Sequence, residues 1–193
     1  MPVFRESTGP LDKVLSRRRF LCLGALTVLS GITPRLCFAA KNTYQSPKRS
    51  LSFYNTYTGE SLATVYWAEG RYVSPALDEI NYILRDHRTG DIKPICTRLL
   101  DVLCAIKVKL KAEHPFHIIS GYRSPKTNAL LRKKGRGVAK NSLHMNGKAV
   151  DISVPGYKLS VLRRAAIELR GGGVGYYPRS KFVHVDSGAV RFW

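Results

Sequence analysis

Two histidines and one aspartate carry the strongest chemical signal in this chain: His144 and Asp151 in SLHMNGKAVDI, and His184 in KFVHVDSG. Two imidazoles and a carboxylate are the donors of a hydrolytic zinc site, in which three protein ligands leave a fourth position for water, whereas closed structural sites favour cysteines. No CxxC pair is present. Singly, each residue has a plainer reading. Asp151 can serve a structural salt bridge, and a lone histidine beside a turn is often only a polar loop residue.

Spacing links the three. Asn146-Gly147 lets the chain turn between His144 and Asp151, bringing a loop histidine beside a strand carboxylate. In a strand over Ala149–Val154, alternation sets Asp151 and Ser153 on one side and Val150 and Ile152 on the other. In FVHVD, His184 and Asp186 share a face with Phe182, while Val183 and Val185 face the core. Asp186 can then either accept a proton from metal-bound water or orient His184. Arg123, in SGYRS, offers a planar fork suited to a peptide carboxylate, or alternatively pins a loop. Tyr176 and Tyr177 either line a cleft or pack.

The elements expected to hold these residues follow from periodicity. A hairpin is predicted over Leu51–Val73 around Thr58-Gly59-Glu60, then a helix from Ser74-Pro75, capped by Ser74, to about Arg88. A second helix is predicted from about Pro94 to Glu113 on an apolar stripe that includes Leu99, Leu103 and Ile106. FHIISGY reads as a strand, Ser124-Pro125 as the start of a helix to about Lys134, and residues 135–140 as a basic loop. Leu159–Arg170 reads as an amphipathic helix stopped by three glycines, followed by strands over Val174–Tyr177 and Phe182–Asp186.

The 193 residues allow one domain plus a leader. Ser16-Arg17-Arg18-Arg19-Phe20-Leu21, an apolar run to Ile32 and Cys37-Phe38-Ala39 read as a twin-arginine signal peptide over residues 1–40, cleaved near Ala39/Ala40, with export to the periplasm. About 12 apolar residues fall short of the roughly 20 that cross a bilayer, and Arg35 argues against lipidation of Cys37. Residues 41–50 read as a linker and 51–193 as the folded domain.

The chain carries a net charge of +19, and residues 41–193 keep 26 Lys and Arg against 11 Asp and Glu, a net +15. Such a field attracts polyanions. Export turns that reading away from nucleic acid and toward cell-envelope polymers. Cys96 and Cys104, if on one helix, lie about 12 Å apart, beyond the roughly 7 Å of a disulfide, so reduced thiols are expected.

Three segments resemble a known family: SGYRSPKTN at 120–128, S-x-H-x-x-G-x-A-x-D at 142–151, and GGVGYYPRSKFVHVDSGAVRFW at 172–193. They are similar to the M15, or LAS, zinc peptidases of D-Ala-D-Ala type, and within them to the murein endopeptidases with a DUF882-type domain. The resemblance implies an α+β domain of the hedgehog/DD-peptidase type, with a small antiparallel sheet and flanking helices. It also implies Zn2+ held by His144, Asp151 and His184, with Ser142 and Arg123 at the substrate. The implied activity is hydrolysis of peptide cross-links in peptidoglycan stem peptides, D-Ala to diaminopimelate or diaminopimelate to diaminopimelate. A carboxypeptidase of the same fold and a non-catalytic zinc-containing wall-binding module are the alternatives. Relatives often carry an acidic residue or histidine shortly before the last ligand, where this chain has Lys181, Phe182 and Val183. Asp186 is the catalytic candidate on geometry alone, with Tyr177 as a further substrate contact. Manganese or cobalt can replace zinc in such a donor set. The oligomeric state stays open, with a monomer as the default.

Overall fold

The computed structural model describes residues 48–134 and 137–193. The leader and most of the expected linker lie outside the described residues. The first described element is β1 (Arg49–Asn55), which pairs antiparallel with β2 (Ser61–Ala68) across the predicted turn. The sheet continues through β3 (Arg71–Tyr72), β4 (Phe116–Ser120), β5 (Ala149–Ser153), β6 (Gly173–Tyr177), β7 (Phe182–Asp186) and β8 (Arg191–Phe192). Its strand order is β3-β2-β1-β4-β5-β7-β6-β8.

This sheet is larger than expected and mixed. It has eight strands, with β1 and β4 parallel and β6 and β8 parallel. Long connections place these strands side by side, and pairing at such separation leaves no local mark in the chain. Among the described residues four α-helices accompany the sheet: α1 (Ser74–Ile83), α2 (Thr97–Leu110), α3 (Pro125–Lys133) and α4 (Leu159–Leu169). Leu51, Phe53, Phe116, Ile118, Val150, Ile152, Val183 and Val185 meet Ile80, Leu99, Leu103, Ile106 and Leu162 in one buried core. The opposite faces of β5 and β7 are left for Asp151 and His184.

Two helices start or stop elsewhere than periodicity suggested. Ser74 does not cap α1; Val73 holds the capping position and no side chain closes it. The helix ends at Ile83 because the Leu84 carbonyl accepts the Tyr122 N–H at 2.7 Å, and Asp86 then draws the chain into a turn through the Arg88 N–H at 3.0 Å. α2 starts at Thr97, since Ile95 is already held by Asn81, whose side chain accepts the Ile95 N–H at 2.8 Å. Cys96 therefore precedes that helix, and among the described residues Cys96 and Cys104 are both unpaired. Ser124 does cap α3, accepting the Thr127 N–H at 3.2 Å.

Gly147 shows why the histidine turn needs a glycine. Residues Leu143–Asn146 form a single 3-10 turn that ends at Gly147 with φ 63°. Its carbonyl accepts the Cys96 N–H at 2.9 Å, and a Cβ there would stand 2.3 Å from the Pro94 carbonyl oxygen. Strain and backbone collision add. Gly147→Ala is expected to cost about 2–4 kcal/mol of stability, read as a fall in thermal midpoint together with weaker metal retention as His144 moves.

Candidate metal centre

The site is a row across the sheet. Ser120 on β4 opposes Asp151 on β5, Asp151 opposes His184 on β7, and His184 opposes Gly175 on β6. Direct opposition brings side chains within contact distance. His144 reaches the same point from its 3-10 turn, which is tied to the SGYRS segment by the Arg123 N–H donating to the His144 carbonyl at 3.2 Å.

His144 Nε2 lies 3.2 Å from His184 Nδ1 and 3.3 Å from Asp151 Oδ1, and His184 Nδ1 lies 2.9 Å from Asp151 Oδ1. The far side of each ring is spoken for. His144 Nδ1 donates to the Gly121 carbonyl at 2.8 Å, and His184 Nε2 lies 3.1 Å from Asp186 Oδ2. With both N–H groups turned outward, three lone pairs face one another, an arrangement that a cation or a proton must relieve. A tetrahedral zinc with bonds of about 2.0–2.1 Å spaces neighbouring donors about 3.3–3.4 Å apart. The three contacts fall within a few tenths of that, and the donor types fit zinc.

Asp186 is fully buried and saturated. Its Oδ1 accepts the Gly173 N–H at 2.9 Å and the Gly188 N–H at 2.8 Å, and Arg191 Nη2 donates to Oδ2 at 2.7 Å. Although burial opposes its charge, His184 and these donors hold its carboxyl well below the usual carboxylate range. Asp151, also buried, is likewise held down by His144 and His184. Burial disfavours the charged form of His184, but Asp151 and Asp186 outweigh it and push the ring up to about 9.

Metal entry must therefore displace a proton. Near pH 7, metal uptake is expected to release about one proton per chain, and affinity should fall as pH falls. Titration calorimetry in buffers of different ionisation enthalpy reads that proton. A ring whose pKa rises on folding stabilises the chelated protein fully below about 6.5, its unfolded value, and loses that contribution as pH climbs through about 9.

The other expected residues gather around the triad. Arg123 is buried; its Nη2 donates to Ser120 Oγ at 3.2 Å and meets Asp151 Oδ2 at 3.4 Å, while its Nε N–H has no partner among the described residues. The guanidinium thus braces Asp151 from the SGYRS segment. Arg123, Ser142 and Tyr177 line a groove of about 390 Å³ with the three donors. Tyr176 instead packs against the core, with the Arg163 guanidinium over its ring. Of the positions before His184, Phe182 stacks on Tyr177 at 4.7 Å, Val183 is in the core, and Lys181 is exposed in a turn.

Two residues escaped the sequence reading. Trp193 lines the groove, 5.4 Å from the His184 ring, and its indole N–H donates to the Tyr177 hydroxyl at 2.7 Å. It rests over Gly175, where a Cβ would meet the indole at 2.7 Å. Arg191, which grips Asp186, passes over the Trp193 ring at 5.1 Å. The absence of a side chain at Gly175 beside an aromatic terminus was the only available signal.

An open two-histidine, one-carboxylate donor set on a sheet face beside a groove defines a candidate metallohydrolase centre. The family model Peptidase_M15_2, described as Peptidoglycan L,D-endopeptidase MepK, matches residues 43–193. The chain belongs to this M15-type murein endopeptidase family, as the three sequence segments implied. It is 42% identical over 178 residues to Peptidoglycan L,D-endopeptidase MepK of Escherichia coli K12, covering 92% of this chain and 97% of that protein. It is 38% identical over 180 residues to Probable peptidoglycan L,D-endopeptidase MepK of Haemophilus influenzae, covering 92% and 95%. The solved Serratia marcescens L-Ala D-Glu endopeptidase ChiX aligns at 21% identity and TM-score 0.35 over 58% of this chain and 86% of that one, too remote to weigh.

Proposed function

We propose that this chain is a zinc-dependent murein endopeptidase that hydrolyses a peptide cross-link between peptidoglycan stems. The observation that carries the reading is the convergence of His144 Nε2, Asp151 Oδ1 and His184 Nδ1 within 3.3 Å beside an open groove. Family membership supplies the substrate class. Of the two cross-links, the L,D designation of the relatives favours diaminopimelate to diaminopimelate, which joins an L to a D centre, whereas D-Ala to diaminopimelate joins two D centres.

His144, Asp151 and His184 would hold the zinc, which when bound lowers the pKa of a water toward about 7 and polarises the scissile carbonyl. Asp186 is assigned to orienting His184, since its lone pairs are already taken. Arg123 would clamp a substrate carboxylate. The Tyr177 hydroxyl, which accepts from Trp193, keeps its own proton to donate to the substrate, and Ser142 lines the same wall. The surplus of basic residues favours attraction to stem-peptide carboxylates. A protein that works on peptidoglycan and carries the twin-arginine leader expected from residues 1–40 would act in the periplasm. Among the described residues no helix is long and apolar enough to cross a membrane.

A non-catalytic wall-binding module is the second reading, favoured by one observation: among the described residues, Asp151 is the only carboxylate lining the groove. Cross-linked muropeptides incubated with the protein, with and without chelator, separate the cases. Chelator-sensitive conversion of dimers to monomers supports the endopeptidase. Trimmed termini identify a carboxypeptidase, and unchanged dimers a binding module.

A further inference from the structure

Beyond Arg123 the groove does not end. A second chamber of about 230 Å³ shares Arg123, Val138, Asp151, Tyr177 and Phe182 with the first. Tyr57, Arg88, Ile119 and Leu131, with Ser120 and Ser180, complete its lining. Tyr57 is held flat against His87, rings parallel to within 7° at 4.0 Å, and the Arg88 guanidinium lies over the Tyr57 ring at 5.8 Å.

Two guanidinium groups thus face one chamber with little to neutralise them. Among the described residues Arg88 has no ion pair, and the ion partner of Arg123 is Asp151, which is shared with both histidines. Asp86, next in sequence to His87, is spent on backbone: Oδ2 accepts the Ser124 N–H at 2.8 Å and Oδ1 the Arg88 N–H at 3.0 Å. The unpartnered Nε N–H of Arg123 leaves donor capacity unused. An anion between the two groups would relieve their repulsion, and apolar walls would strengthen its grip.

We propose that Arg88 joins Arg123 in a subsite for a free carboxylate of the substrate, in the limb of the groove that runs from Asp151 past Arg123 to Tyr57 and Arg88. The proposal rests on the murein reading and names the feature of the stem peptide that sets register. Arg88 is then a specificity residue, held in place by the Tyr57 and His87 stack.

The test compares two cross-linked muropeptide dimers, one with its diaminopimelate carboxylates free and one with them amidated, cleaved by the metal-loaded full chain and by Arg88→Gln and Arg88→Lys. The wild type should favour the free-acid dimer by about tenfold in kcat/KM, with the difference in KM. Arg88→Gln should lower that ratio to about threefold, since Arg123 still meets the carboxylate, and Arg88→Lys should fall between. An unchanged ratio in Arg88→Gln overturns the subsite while leaving the endopeptidase intact. A wild type that cuts neither dimer overturns both.

Discussion

His184→Ala is expected to strip the protein of metal and reduce muropeptide cleavage to background. The ring contributes one of three donors and is the only one that meets both Asp151 and Asp186. Losing an outer partner of a ligand typically costs 10–100-fold in metal affinity, and losing the ligand itself should exceed that. The fold should survive, because Val183 and Val185 point to the opposite, fully buried face of β7 and keep their contacts. Elemental analysis beside far-ultraviolet circular dichroism separates the outcomes: a folded variant without metal is expected, and a folded variant with one metal per chain removes His184 from the ligand set.

Asp186→Asn should lower metal affinity by about 10–100-fold, with turnover largely recovered at saturating metal. The carboxylate receives two backbone N–H groups, Arg191 and the His184 ring, and an amide would turn an NH2 against one of these donors. Leaving a buried donor unmatched costs about 1–3 kcal/mol in stability, so the thermal midpoint should fall as well. An orienting residue and a proton carrier differ here. If Asp186 moved the proton, excess zinc would not restore turnover, and the pH profile would lose a limb. The metal-dependent recovery is therefore the informative readout.

The strands that hold the centre were legible from the two-residue period of a strand: in FVHVD and AVDIS it sets Val183, Val185, Val150 and Ile152 on the core face, and His184 and Asp151 on the other. The SxHxxGxAxD spacing likewise exposed the turn, although its 3-10 form was not foreseen. What escaped depends on contacts between distant segments. β8 is two residues long and acquires its identity only by pairing with β6, so neither Arg191 nor Trp193 bore a periodic signal. The early stop of α1 at Ile83 is set by Tyr122, nearly 40 residues on, and by the Asp86 turn. The parallel pairing of β1 with β4 is the same kind of long-range choice, and it turned an expected small antiparallel sheet into a mixed one of eight strands.

Anomalous diffraction from crystals of the purified protein, recorded on both sides of the zinc edge, tests the centre most directly. A single zinc peak bonded to His144 Nε2, Asp151 Oδ1 and His184 Nδ1, with His184 Nε2 still on Asp186, is the expected result. No peak in crystals grown with zinc, or one bonded through other residues, would contradict it.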